Sequence, residues 1–173
     1  MYLVSIYFDE KTNKKIQQYI NRVAERSGNK FMLDGNVPPH ITVSAFEARD
    51  EVKVIKLLEE VVRGLRKGKL QWVSVGQFLP YVVYLAPVLN EYLHGMAEEI
   101  YKGLSRDEEV MVNQYYKPFQ WMPHTTIAKT LSKEEMQVAF SVIQDSFGAF
   151  SGEVVKIGLA KPNPHRDIIS WEI

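Results

Sequence analysis

The 173-residue chain contains no cysteine, which excludes disulfide bonds, thiol catalysis and zinc sites built on cysteine. Long hydrophobic runs are missing too, since no stretch approaches the ~20 apolar residues that a membrane-spanning helix needs. The opening segment MYLVSIYFDE has no basic residue before its short apolar run. It is therefore predicted to be a strand rather than a signal peptide. We expect a cytoplasmic protein with no membrane partner.

Excess charge of either sign is also absent, because 21 Lys and Arg balance 21 Asp and Glu. A broad surface for polyanions is not expected, so any nucleic-acid substrate would have to be bound locally. The length predicts one domain, residues 1–173, and the apolar content of 46% is enough for a substantial core. We favour a monomer.

Against this ordinary background, one tetrad occurs twice. Pro39-His40-Ile41-Thr42 lies in the first half of the chain, and Pro123-His124-Thr125-Thr126 lies in the second. With only five threonines and four histidines in the chain, two His-x-Thr matches exceed what random placement predicts. If each tetrad is a strand, its histidine and threonine side chains point to the same face.

The surrounding pattern repeats in outline. Each half contains a helix, a loop, a histidine strand led by proline, a second helix and a later strand. The predicted strands are 2–8, 40–46, 70–78, 81–86, 124–130, 152–160 and 167–173. Helices are expected after Asp9, from Asp50, from Pro87, and from Ser132, where a capping box begins. Two similar lobes related by a rough two-fold would bring both tetrads to one site.

Two imidazoles at one site can catalyse phosphoryl chemistry. Near neutral pH one ring can be neutral and act as base while the other is protonated and acts as acid. The hydroxyls of Thr42 and Thr126 can donate hydrogen bonds to the charged phosphate oxygens. We expect His124 to be the base toward water and His40 the acid toward a ribose oxygen, with the roles reversing if the substrate binds the other way round.

Four further residues are candidate accessories. Strand alternation predicts that Ser44 shares a face with His40 and Thr42, and Lys129 could balance the phosphate charge. Tyr115 and Phe119, which precede the second tetrad, could stack on a base, or could simply cover the edge of the core. Neither tetrad contains Asp or Glu, so no metal site and no cofactor are expected.

The segments PPHITVSAF and MPHTTIAKT resemble the paired motifs of the 2H phosphoesterase superfamily, which includes 2′-5′ RNA ligases and cyclic phosphodiesterases. The resemblance implies an α+β fold that is bilobal, with two antiparallel β-sheets related by a pseudo-two-fold, a central cleft, and helices packed outside. It implies that His40 and His124 are the catalytic pair and that Thr42 and Thr126 bind phosphate. An arginine often follows the second motif in the RNA-ligase-like branch, and Lys129 stands there.

These observations predict a metal-independent phosphodiesterase that hydrolyses a cyclic phosphate or a 2′-linked phosphodiester of a nucleotide or RNA end. Two alternatives stay open: an RNA 2′-5′ ligase or RNA-end processing enzyme that uses the same tetrads, and a catalytically idle module that binds a nucleotide or RNA.

Overall fold

The computed structural model describes residues 1–162 and 165–173. The strands in this part of the chain are β1 (Tyr2–Phe8), β2 (His40–Glu47), β3 (Gly68–Phe78), β4 (Val82–Pro87), β5 (Met111–Val112), β6 (Thr125–Ala128), β7 (Phe150–Pro162) and β8 (His165–Glu172). The α-helices are α1 (Glu10–Ser27), α2 (Phe31–Asp34), α3 (Glu51–Val62), α4 (Glu91–Leu104) and α5 (Lys133–Ser146), and a 3-10 turn spans Gln114–Tyr116. Among these helices, none is long and apolar enough to cross a membrane.

Polar side chains fix the starts of the long helices. Asp9, Asp50, Asn90 and Ser132 each accept a hydrogen bond from a backbone N–H in the first turn. Ser132 completes the predicted capping box. The predicted start of α4 at Pro87 is wrong. Pro87 is instead the last residue of β4, and the helix begins after Asn90.

All strand pairs are antiparallel, and helices pack against the sheet, so the α+β prediction is confirmed. The strand order is β5-β2-β1-β7-β3-β4-β6, with β8 also paired to β7. The two predicted sheets are joined into one by the 13-residue β7. Its first residues pair with β3, while its remainder pairs with β1 on one edge and β8 on the other.

Strand β6 is shorter than predicted, because it begins one residue after His124 and ends at Ala128. Thr130 has a φ of 61°, a left-handed conformation that does not continue a strand. The chain then turns at once into the Ser132 cap of α5. The second tetrad therefore occupies the start of a short strand, whereas the first opens a long one.

The core lies between the helices and one face of the sheet. Val4, Ile6 and Phe8 of β1 point to this face, and the alternate residues Ser5 and Tyr7 point to the other. Trp72 is completely buried in the core, where it stacks on Phe150 at 5.0 Å and meets Phe8 edge-on at 4.9 Å. The face opposite to the core is the one on which the candidate site is built.

Candidate active site

The two tetrads lie next to each other although their strands are not hydrogen-bonded neighbours. Strand β2 pairs with β1 and β5, and β6 pairs with β4, yet β2 and β6 come into direct contact. The indole N–H of Trp121, just before the second tetrad, donates to the carbonyl of Thr42 in the first at 3.0 Å. A charge on His124 also acts electrostatically on His40. The structure thus brings together two segments 84 residues apart.

The two histidines are held in the same way. His40 Nδ1 lies 2.9 Å from the carbonyl oxygen of Pro38, and His124 Nδ1 lies 2.9 Å from that of Met122. A carbonyl oxygen only accepts, so each Nδ1 carries the hydrogen. In the neutral rings Nε2 is then the basic nitrogen, on the edge away from the backbone. Each ring therefore offers its Nε2 for proton transfer.

The threonines share a sheet face with groups beside the histidines. Residues directly opposite in an antiparallel ladder have neighbouring side chains. In the β1–β2 ladder, Tyr7 is opposite His40 and Ser5 is opposite Thr42. The hydroxyl oxygens of Ser5 and Thr42 are 3.3 Å apart. On the other side, Tyr84 of β4 is opposite Thr126.

A register shift follows each threonine, and it overturns one expected placement. The β1–β2 ladder skips Val43 and pairs Ser44 with Val4, and the β4–β6 ladder skips Ile127. Val4 belongs to the core face. Ser44 consequently leaves the face of His40 and Thr42, and its buried Oγ has no hydrogen-bond partner in the described part of the chain. Regular alternation, which predicted Ser44 as an accessory, fails at this shift.

Thr125 and Thr126 are adjacent but have separate surroundings. Thr125 is completely buried and accepts a hydrogen bond from the indole of Trp72 at 3.1 Å. Thr126 is half-buried and lies opposite Tyr84. Thr125 therefore anchors the tetrad to the core, while Thr126 is the residue turned to the site face.

Aromatic rings surround His124. Phe78 meets the imidazole edge-on with ring centroids 4.8 Å apart, and Tyr84 does so at 5.5 Å. Phe78 and Tyr84 also stack on each other at 4.3 Å. The ring of Tyr84 covers Gly76, where an added Cβ would come within 2.3 Å of it. Glycine is thus required for this wall to close.

The surroundings of His40 are more polar. Tyr7 lies with its ring 6.1 Å from the imidazole, and the Lys156 ammonium sits 5.0 Å above the Tyr7 ring. Sequence reasoning missed Tyr7, Lys156, Phe78 and Tyr84, because their strands are distant in sequence from the tetrads. The available signal was the polar alternation of Ser5 and Tyr7 within an otherwise apolar first strand.

Burial lowers the pKa of both histidines below the ordinary value of 6.5. For His40, the hydrogen bond from Nδ1 to Pro38 opposes this effect and the charges on His124 and His165 add to it, while the carboxylate of Asp167 raises the pKa. For His124, the hydrogen bond to Met122 opposes the effect of burial. Burial and Asp167 raise the pKa of Tyr7 to about 12, so its hydroxyl stays protonated.

The other predicted accessory residues lie at the surface. Lys129 is exposed just beyond β6. Tyr115 is 67% exposed and Phe119 is 89% exposed, and Phe119 contacts His94 with ring centroids 4.8 Å apart. None of the described contacts joins these three residues to either tetrad. Neither of the two aromatic residues covers the core edge.

Comparisons with known proteins agree with this geometry. The model of the 2′-5′ RNA ligase superfamily matches residues 12–166. The chain belongs to this superfamily, whose members are 2H phosphoesterases. The superfamily resemblance read from the two tetrads is thereby confirmed. A search of curated protein sequences finds no match.

Several solved structures share the fold of this chain. A crystal structure described as a phosphoesterase is 17% identical, covering 99% of this chain and 97% of its own, with a TM-score of 0.64. Escherichia coli LigT complexed with 3′-AMP is 15% identical with the same coverage and a TM-score of 0.66. Usb1 from Kluyveromyces marxianus is 11% identical, again with the same coverage, and has a TM-score of 0.53. These structures show that the chain shares their fold, and its place in the 2H phosphoesterase superfamily supports phosphodiesterase- or ligase-like activity.

Proposed function

We propose that the protein is a metal-independent phosphodiesterase that hydrolyses a cyclic phosphate or a 2′-linked phosphodiester of a nucleotide or RNA end. The observation that carries this proposal is the matched pair of histidines, each with Nδ1 held by a backbone carbonyl. Two such rings, at the N-terminal ends of two strands that contact each other, supply a base and an acid without further groups. Among the described residues, no three His, Asp or Glu side chains come together as a metal site.

In the proposed reaction, a water molecule attacks the phosphorus of the cyclic diester. Neutral Nε2 of one histidine takes the water proton as the new P–O bond forms. The P–O bond to one ribose oxygen breaks, and Nε2–H of the other histidine protonates that oxygen. The product is a nucleoside monophosphate, and the two histidines end with their protonation states exchanged. The Thr42 and Thr126 hydroxyls stabilise the negative charge on the non-bridging oxygens.

We assign His124 as the base toward water and His40 as the acid toward the ribose oxygen, with the roles reversing if the substrate binds the other way round. Burial lowers the pKa of both rings, so either can be the neutral base. The rings of Phe78 and Tyr84 pack on His124. His40 is also subject to opposing charges, since those on His124 and His165 lower its pKa and the carboxylate of Asp167 raises it.

The proposed substrate class is a nucleotide, since E. coli LigT has been crystallised with 3′-AMP. The testing experiment is a substrate panel of 2′,3′-cyclic nucleotides, the cyclic phosphate of ADP-ribose, short 2′-5′ oligonucleotides and a tRNA half with a cyclic phosphate end. Phosphorus NMR identifies the products. We expect hydrolysis of at least one cyclic phosphate at a rate that EDTA leaves unchanged. Joining of RNA ends without hydrolysis, or binding without turnover across the panel, would overturn the proposal.

The pH dependence of kcat/KM follows from the lowered pKa values. This parameter reports the free enzyme, in which both histidines titrate below 6.5. As the pH increases, kcat/KM should rise when the base loses its proton and fall when the acid loses its proton. Both limbs of this bell-shaped pH profile should therefore lie below pH 6.5. Rates from about pH 4 to about pH 8 at constant ionic strength test this. An optimum above pH 7 would contradict the burial of the two rings.

A further inference from the structure

A small cavity with a mixed polar and apolar lining flanks the candidate site on the side of His40. It has a volume of about 260 Å³ and is lined by Tyr7, Pro38, Lys156, Gly158, Asp167 and Ser170, among others. The carbonyl of Pro38 is the one that holds His40 Nδ1. The cavity and the catalytic ring therefore share a wall.

Sheet register places the cavity on the same face as the catalytic groups. Across three neighbouring strands, His40 is opposite Tyr7 and Tyr7 is opposite Lys156. Two residues earlier in β1, Ser5 is opposite Gly158 of β7, and Gly158 is opposite Ser170 of β8. Two strand spacings, ~10 Å, separate the backbones at His40 and Lys156. This distance is comparable to the length of one nucleotide unit, and the long side chain of Lys156 can bring its ammonium closer to the histidines.

Lys156 supplies the cavity with a positive charge. Glu172 is opposite Lys156 in the β7–β8 ladder, but the ammonium lies over the Tyr7 ring at 5.0 Å. Within residues 1–162 and 165–173, no carboxylate comes within salt-bridge distance of Lys156. Asp167, the carboxylate at the cavity, is bonded instead to His165 at 3.2 Å. The half-buried ammonium is thus held by its attraction to the ring, without a carboxylate to neutralise its charge in the described part of the chain, and it can bind an anion.

We propose that this cavity, which we call the Lys156 subsite, binds a second phosphate of the substrate, one nucleotide unit away from the phosphate at the two histidines. Ser170 and the Tyr7 hydroxyl supply hydrogen bonds beside the lysine. The inference rests on the proposed function and extends it. Preferred substrates carry a phosphate on the 5′ side of the nucleoside whose cyclic phosphate is opened, from either a 5′-phosphorylated mononucleotide or an RNA chain.

The test compares three substrates: adenosine 2′,3′-cyclic phosphate, the same compound with a 5′-phosphate, and a diadenosine dinucleotide ending in a 2′,3′-cyclic phosphate. We expect kcat/KM to be about tenfold higher for a substrate with the second phosphate, as for a hydrogen bond to a charged group. Preference for the 5′-phosphorylated mononucleotide alone means that the subsite ends at the cavity. Preference for both the 5′-phosphorylated mononucleotide and the dinucleotide, or for the dinucleotide alone, identifies an RNA end as the substrate. Equal values for all three would overturn the proposal.

Substitutions locate the effect. Lys156→Met should remove the preference, and Lys156→Arg should keep part of it. Lys15→Met is the matched control, because Lys15 also lies over an aromatic ring, that of Phe150 at 4.8 Å, but outside the site. Asp167→Asn should increase the preference by removing a negative charge. A preference unchanged in Lys156→Met, or lost equally in Lys15→Met, would contradict the assignment.

A binding measurement separates this inference from the proposed function. Calorimetry compares adenosine 3′-monophosphate with adenosine 3′,5′-bisphosphate on the wild-type protein and needs no turnover and no variant. Tighter binding of the bisphosphate supports the subsite even if no cyclic phosphate is hydrolysed. Equal affinities, together with normal hydrolysis, would overturn the subsite and leave the proposed function intact.

Discussion

Replacing either catalytic histidine with alanine is expected to lower kcat by about a hundred- to ten-thousand-fold. Each ring has Nδ1 tied to a backbone carbonyl, so its Nε2 is the group that transfers the proton. No neighbouring side chain in the described contacts can replace it. Steady-state hydrolysis of a 2′,3′-cyclic nucleotide by His40→Ala and His124→Ala measures the effect.

His94→Ala is the matched control for this prediction. It removes an imidazole from α4 that contacts Phe119 and belongs to neither tetrad. Its kcat should stay within a few-fold of the wild type. The double variant His40→Ala, His124→Ala should lose little more than the worse single variant, because the two rings act as one unit. Full activity in either single variant would remove that histidine from the mechanism.

The second large effect should come from two neighbouring threonines. Thr126→Val is expected to lower kcat by about a hundredfold, as for other hydrogen-bond donors to a developing oxyanion, with little change in stability. Thr125→Val should leave kcat nearly unchanged but lower the free energy of unfolding by about 1–3 kcal/mol, because the buried indole N–H of Trp72 loses its acceptor. Kinetics and thermal unfolding of both variants provide the comparison.

Thr42→Val extends this test to the first tetrad, where the hydroxyl also contacts Ser5. Its kcat should fall as in Thr126→Val. An unchanged kcat in both Thr42→Val and Thr126→Val would show that the threonines shape the strands without binding phosphate. A larger kcat loss in Thr125→Val than in Thr126→Val would reverse the assignment of the two side chains.

Much of this arrangement could be predicted from local sequence. The caps at Asp9, Asp50 and Ser132 and the strand Tyr2–Phe8 follow from signals within a few residues, and the structure confirms them. The two tetrads also led to the correct superfamily. Local patterns of this kind depend on capping and alternation, which neighbouring residues determine.

Features set by distant strands could not be predicted. The register shifts at Val43 and Ile127 depend on pairing with β1 and β4, so simple alternation misplaced Ser44. The length of β7, which joins the two predicted sheets, depends on its pairing with the distant strands β1, β3 and β8. The walls of the site come from residues such as Tyr7 and Lys156, which are far apart in sequence and adjacent only in the sheet.

The most direct test of two histidines converging on one phosphate is a titration of ¹⁵N-histidine-labelled protein with 3′-AMP, followed by NMR. We predict that the Nε2 resonances of His40 and His124 shift together, with one saturation curve, while each Nδ1 keeps its protonated signature and His94 does not respond. A shift at only one of the two rings, or separate saturation curves for them, would contradict a shared site.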